Sequence, residues 1–270
     1  GQLNHNFILS HAIGGSEVTP SVSIGNMVVD VNEHDEIVIS YCDPSDTGTY
    51  KTEIFNNSGL IRTLDYGNIE TVGLVDLNND GLVELIVGDG AGCIKAYDVQ
   101  NDTLLWDQST EPAPIKSSPV IGDIYPGPGY PGVEINFGTN FQKAHLRMGS
   151  NGTTIDPWPD SLTGTVRTSD AIGHINGDNY LDIITTTQGF YLYAHNHLML
   201  RIAPYPLPFF GFLSSPVIGD INGDRKNEVI ISTSDHYLHV LKNGSSSVTS
   251  YLLEWPQFHH DYQHTGLYGW

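Results

Sequence analysis

Five times along the chain a short apolar run ends on a polar residue and gives way to a turn-forming segment: VSIGN (22–26), VGLVD (72–76), PVIGD (119–123), DAIGH (170–174) and PVIGD (216–220). The last residues of these runs lie 50, 47, 51 and 46 positions apart. A β-branched run follows each time: Glu36–Ser40, Glu84–Gly88, Glu134–Gly138, Asp182–Thr186 and Glu228–Ser232. That composition predicts strands, not helices. A third run, such as Cys93–Tyr97, Tyr191–Ala194 or Tyr237–Leu241, ends at an asparagine turn. The turns hold Asn56-Asn57-Ser58-Gly59, Asn101-Asp102, Asn151-Gly152, Asn196 and Asn243-Gly244, residues that tolerate the positive φ of hairpins. A fourth run follows at Leu60–Leu64, Thr103–Trp106, Leu198–Ile202 and Tyr251–Glu254, and is weakest in the third copy.

Four short antiparallel strands per unit, recurring without a helical period, predict an all-β β-propeller of five four-stranded blades over residues 18–256. The octapeptide SSPVIGDI, present at 117–124 and again at 214–221, shows the repetition at its most literal. Six or more blades, with one shared by the termini or supplied by a longer chain, is the alternative. Residues 1–17 contain an apolar strand, 6–12, that either closes the ring or is donated to the sheet of another subunit, since an unpaired strand invites pairing. The tail, 257–270, resembles the segment that follows the last blade in similar repeat proteins, which implies a domain boundary.

Two loops carry candidate chemistry: Asp76-Leu-Asn78-Asn-Asp80-Gly81-Leu82-Val-Glu84 and Asp220-Ile-Asn222-Gly-Asp224-Arg225-Lys226-Asn-Glu228. The repeats resemble the FG-GAP/VCBS family, whose blades also build the integrin α-chain propeller and whose signature is D-x-[DN]-x-D-G-x-x-[DE]. The second copy has it whole, and the fifth departs only at Arg225, where the family prefers glycine. The resemblance implies Ca²⁺ held by the side chains of Asp76, Asn78, Asp80 and Glu84 with the Leu82 carbonyl, and by Asp220, Asn222, Asp224 and Glu228 with the Lys226 carbonyl. Ca²⁺ takes six to eight oxygens at about 2.3–2.6 Å, which alternate side chains of one tight loop can supply. An EF-hand would need glutamate at the twelfth position, where Val87 and Ile231 stand.

The fourth copy, His174, Asn176, Asp178, Tyr180 and Asp182, is a weaker candidate because imidazole is a poor ligand for a hard cation. The first copy, with Asn26, Asp30 and Asn32 out of register, and the third, stretched by prolines between Asp123 and Glu134, read as turns without metal. The recurring terminal glutamate is what turn preference alone does not explain.

Eleven basic residues against thirty-one acidic give a net charge of −20, and two bound Ca²⁺ would leave −16. Nucleic-acid and anionic-membrane binding call for clustered Lys and Arg and are disfavoured. No run of eighteen apolar residues suggests membrane insertion, and no signal segment is evident, so the chain reads as a mature, secreted or cell-surface piece. Cys42 and Cys93 fall near neighbouring blade edges, where a disulfide and two free thiols are both compatible with the sequence. Asn56, Asn101, Asn151 and Asn243 lie in N-x-[ST] sequons, open to glycosylation in that compartment.

His195 with His197, and His259, His260 and His264, are minor transition-metal candidates. No G-x-S-x-G, H-E-x-x-H or phosphate-cradling loop is present, and no catalytic residue is assigned. The face opposite the acidic loops carries Trp106, Trp158 and the run Pro204–Phe212, residues able to pack between blades or to stack on a ligand. The expected function is a non-enzymatic extracellular module for adhesion, recognition of a glycan or protein, or assembly. The alternatives are a structural subunit of a filament or surface layer, and the propeller of a polysaccharide lyase or hydrolase.

Overall fold

The computed structural model describes residues 21–29, 35–42, 50–67, 72–125, 131–178, 180–242, 253–258, 260–261 and 266–268. Every regular element among them is a strand. The first sheet is β1 (Ser21–Gly25), β2 (Glu36–Cys42), β3 (Tyr50–Asn56) and β4 (Gly59–Leu64). The second is β5 (Gly73–Val75), β6 (Glu84–Gly88), β7 (Cys93–Asp98) and β8 (Thr103–Ser109). The third is β9 (Val120–Gly122), β10 (Glu134–Thr139), β11 (Lys143–Met148) and β12 (Asp160–Ser161). The fourth is β13 (Ala171–Gly173), β14 (Asp182–Thr186), β15 (Tyr191–His195) and β16 (Leu207–Pro208), and the fifth β17 (Val217–Gly219), β18 (Glu228–Ser232) and β19 (Leu238–Lys242). These strands pair antiparallel in chain order within each sheet, as propeller blades do.

The first strands of successive sheets are neighbours, β1 beside β5, β5 beside β9, β9 beside β13 and β13 beside β17. They are short and rich in small or branched apolar residues because they crowd together. A side chain at Gly73 would meet Ile121 Cδ1 at 2.9 Å. Three apolar clusters fill the spaces between sheets, the largest running from Ile86 and Ile94 through Phe137 and Leu146 to Tyr193. Polar clasps also join neighbouring sheets. Glu111, beyond β8, accepts from Lys143 (2.6 Å) and meets His145 Nε2 (3.1 Å) on β11. The Trp106 indole donates to the Gly149 carbonyl (2.9 Å).

The repeated SSP has a structural role. The Ser117 hydroxyl donates to the Gly138 carbonyl (3.1 Å) and accepts from its N–H (2.7 Å), and Ser214 accepts from the Ser232 N–H (3.0 Å). Each serine fastens the connection from the preceding sheet onto the end of the second strand.

Two expected outer strands differ. Leu198–Ile202 forms a turn with one bridge, Arg201 to His195, and the outer strand of the fourth sheet is β16 instead. The turn wins because the Asn196 side-chain Oδ1 accepts from the Leu198 and Leu200 N–H groups (3.0 and 2.9 Å), curling the chain where a strand would run straight. Tyr251 and Leu252 lie outside the described residues, but Leu253–Trp255 leaves the rim for the inner strands. Trp255 exchanges backbone bonds with Ile172 of β13 (2.7 and 3.1 Å), and Pro256 accepts from Ile218 of β17 (2.8 Å). Farther on, Gly266 accepts from Leu74 (2.9 Å), and β20 (Leu267–Tyr268) pairs parallel with β5. The tail thus fastens the inner strands of three sheets. The N-terminal segment 1–17 lies outside the described residues.

Candidate functional site

Antiparallel order within each sheet puts the first-to-second and third-to-fourth turns at one end and the second-to-third turns and inter-sheet connections at the other. The acidic loops and the asparagines Asn56, Asn101 and Asn151 therefore share the first face, and the connection 209–212 lies at the second.

On the first face, one arrangement recurs five times. The residue opening each second strand is a buried carboxylate, Glu36, Glu84, Glu134, Asp182 or Glu228, and each accepts a backbone N–H from the turn that precedes it. The donors are Met27 (2.7 Å), Leu77 (2.6 Å), Ile124 (2.7 Å), Ile175 (2.8 Å) and Ile221 (3.2 Å). The first and third sheets, which lack an acidic loop, have the same latch. The recurring glutamate is thereby explained without a metal, because it satisfies donors that no strand neighbour reaches. Burial pushes the carboxyls of Glu84 and Glu134 up to about 7, against the backbone donors, which favour the charged form. Burial likewise raises Asp182 to about 7, with the Ile175 amide opposing.

The two signature loops share most of their hydrogen bonds. Asp76 accepts from Gly81 N–H (2.9 Å), as Asp220 does from Arg225 (2.8 Å). Asn78 accepts from Asp80 N–H (2.8 Å) and donates to Glu84 (3.0 Å), while Asn222 accepts from Asp224 (2.9 Å) and donates to Glu228 (2.6 Å). Leu82 and Lys226 donate their N–H groups to Asp80 and Asp224 (2.9 and 3.0 Å). Left-handed residues occur at the same two places, Asn79 (φ 61°) and Gly81 (φ 89°) in one loop, Gly223 (φ 76°) and Arg225 (φ 67°) in the other. Arginine thus takes a conformation for which glycine is suited.

The donor set suits a hard cation: each loop offers three carboxylates, one amide oxygen and a backbone carbonyl, and Asp76, Asp80, Asp220 and Asp224 stand toward solvent. As folded, each of the Asp, Asn and Glu side chains accepts from a loop N–H group. Among the described residues no three acidic, His or Cys side chains converge on a metal-sized point.

In the fourth loop Asn176 donates to both Asp178 (3.0 Å) and Asp182 (2.9 Å), and His197 Nδ1 approaches Asp178 at 3.7 Å with its ring against Tyr180, centroids 3.9 Å apart. His174 is buried at the end of β13. His195 turns elsewhere, to Asp160 (2.9 Å), so His195 and His197 do not form a metal pair. His260 packs on Trp255, centroids 5.0 Å apart, and His259 and His264 lie outside the described residues. Cys93 carries a free thiol, and the Cys42 side chain lies outside the described residues. Asn101 and Asn151 are exposed, Asn56 is half-buried, and Asn243 lies outside. Asn56 and Asn151 accept from the N–H two residues on (2.9 Å each), so turn geometry accounts for their identity.

The aromatic residues expected on the second face divide. Trp106 lies within β8, Trp158 and Tyr205 lie in the connections leading to β12 and β16, and all three are buried, so they do not present a second-face surface. Phe210 and Phe212 are 86% and 56% exposed. Phe190, in the β14–β15 turn, meets Phe212 edge-on with centroids 5.2 Å apart, and Tyr237 stands exposed at the β18–β19 turn. The backbones of Phe190, Phe212 and Tyr237 are pinned by hydrogen bonds. Phe212 donates its N–H to the Ser234 hydroxyl and accepts from the Ser234 N–H, both at 2.9 Å. Sequence reasoning did not single out Phe141 and Phe190; the signal for them is an aromatic residue in the turn before a third strand, two positions before β11 and one before β15.

No family model and no curated relative matches the sequence. Solved structures match in fold. The chain resembles BBS1N, crystallised in complex with ARL6DN, with a TM-score of 0.56 at 11% identity over 89% of this chain and 71% of that one. It resembles the Dos1 propeller with a TM-score of 0.53 at 9% identity, over 86% of this chain and 56% of the other. At these identities the fold is what is shared, and the chain is a β-propeller.

Proposed function

We propose that this protein is a non-enzymatic, extracellular β-propeller of FG-GAP/VCBS type that recognises a protein partner through the face opposite its acidic loops. The observation that carries the reading is the aromatic edge of Phe190, Phe210, Phe212 and Tyr237, its backbone pinned at Phe190, Phe212 and Tyr237. Bulky rings held outward on a fixed backbone lose little freedom on binding and bring a large contact area. The use of a related fold in BBS1N, solved in complex with ARL6DN, supports a protein partner.

In this reading Ca²⁺ is structural. Asp76, Asn78, Asp80, Glu84 and the Leu82 carbonyl would hold one ion, and Asp220, Asn222, Asp224, Glu228 and the Lys226 carbonyl another. Each ion would neutralise carboxylates that otherwise repel across a nine-residue loop. Glycans on Asn56, Asn101 or Asn151 would rise from the calcium face and leave the aromatic face open.

The test is a binding screen of the wild-type chain against arrayed extracellular proteins, repeated with Phe210→Ala/Phe212→Ala and with EDTA replacing calcium. Hits lost by the double variant while its melting temperature is kept support the proposal. Hits that ignore the substitution, or an absence of hits, overturn it.

A further inference from the structure

At the outer rim between the third and fourth sheets lies a cleft of about 280 Å³ lined by Pro157, Trp158, Asp160, Met199, Leu200 and Arg201. Its polar wall is built, not incidental. Arg201 grips Asp160 with two prongs, Nε to Oδ2 at 3.0 Å and Nη2 to Oδ1 at 3.1 Å, and Nη2 also donates to the Ser161 carbonyl (2.7 Å). Behind them the fully buried His195 fixes Asp160 Oδ2 at 2.9 Å, and Tyr193 lies under the guanidinium, 5.2 Å from its centre. Burial opposes the charge on Asp160, but the bonds from His195 and Arg201 outweigh it and hold the carboxyl below its usual range. The wall is therefore an ionised pair of no net charge.

Two features point to a ligand of mixed character. Among the described residues, Arg201 Nη1 has no hydrogen-bond partner, and the guanidinium remains 41% exposed beside the cleft. Trp158, which also lines it, has a buried indole N–H without a partner among the described residues. The remaining lining, Pro157, Met199 and Leu200, is apolar. Donors and an acceptor on one side and C–H-binding surface on the other match a sugar ring, whose hydroxyls lie around its edge and whose faces are apolar. The volume falls below the 300–1,000 Å³ typical of drug-sized ligands, which suits one ring. The balanced Asp–Arg pair and the net charge of −20 disfavour an acidic one.

We infer that this rim cleft binds a single neutral sugar residue, through the Asp160–Arg201 pair and the apolar wall of Trp158, Met199 and Leu200. This site is separate from the aromatic face, and either stands without the other.

The experiment screens the full chain on an array of neutral and uronic-acid oligosaccharides, then titrates the methyl α-glycosides of glucose, galactose and mannose by calorimetry. Neutral glycans are expected to bind. Arg201→Ala should weaken binding at least tenfold, and Leu200→Arg, at an exposed position where folding is not at stake, should do the same by filling the cleft. Phe210→Ala/Phe212→Ala should leave sugar binding unchanged. Absence of neutral-glycan binding, preference for uronic acids, or affinity kept within twofold in both cleft variants would overturn the assignment.

Discussion

Replacing Trp255 with alanine probes whether the C-terminal segment holds the propeller together. Trp255 is 1% exposed and packed in the largest apolar cluster. A buried tryptophan covers 150–250 Å², and at about 25 cal/mol per Å² its removal forfeits roughly 4–6 kcal/mol, an upper figure because unfolded chains are partly compact. Its indole N–H has no partner among the described residues, and an unmet buried donor offsets about 1–3 kcal/mol of that gain. The net loss expected is about 3 kcal/mol, at the low end of measured Trp→Ala costs. Urea unfolding followed by circular dichroism should show the midpoint fall with an unchanged slope, and the melting temperature should drop by roughly 6–12 °C. Trp255→Phe, which keeps a ring and removes the orphaned donor, should lose less than about 1.5 kcal/mol. If alanine costs under about 1 kcal/mol, or phenylalanine costs as much as alanine, the tail does not fasten the inner strands as argued.

Arg225→Gly should raise stability by about 0.5–1 kcal/mol, because a left-handed non-glycine residue is strained by about 1–2 kcal/mol and glycine's flexibility returns part of that; chemical denaturation at pH 7 measures it, and a loss would refute the strain. Asp170, which accepts from the Thr185 hydroxyl at 2.8 Å, is fully buried, and burial raises its carboxyl to about 8. A pKa raised on folding gives stability that is complete below the unfolded value and is lost as pH rises through the folded one, here between about 4 and 8. Asp170→Asn should accordingly gain on the wild type from pH 5 to pH 8 in thermal melts, and a constant difference would disprove the buried neutral acid. Gly92→Ala should destabilise by at least about 2 kcal/mol, since φ is 89° and the new Cβ would lie 2.2 Å from the Glu111 carbonyl oxygen; a neutral outcome by differential scanning fluorimetry would show that connection to be compliant. Calcium at about ten times its dissociation constant should add roughly 1.4 kcal/mol per occupied loop, an increment that Asp76→Ala/Asp220→Ala abolishes; equal melting with calcium and with EDTA would leave the loops as plain turns.

The second strands were legible almost to the residue. The runs Glu84–Gly88, Asp182–Thr186 and Glu228–Ser232 coincide with β6, β14 and β18, because β-branched residues bounded by turn formers leave little choice of conformation. The signature loops were legible too, since Asp, Asn and Gly at fixed offsets encode their own hydrogen bonds. The structural role of the terminal glutamate was not legible. Its binding to the turn N–H groups depends on where the turn folds back, and only the contrast with Glu36 and Glu134, which latch loops of other composition, makes the role visible. The outer strand at 198–202 failed because one Asx turn at Asn196 outweighed a weak apolar alternation.

By itself the chain's order of residues determined what is local: strands, turns, loop geometry and a repeat too regular for anything but stacked sheets. The partition of its aromatics was a tertiary matter. Trp158 and Phe210 look alike in the sequence, yet one is closed between two sheets and the other stands in solvent, because burial is set by what arrives from a neighbouring blade. The course of the tail was decided in the same way. Nothing in Trp255 names Ile172 as its partner; the inner strands offer backbone groups and an apolar gap that a segment arriving from the last sheet satisfies together.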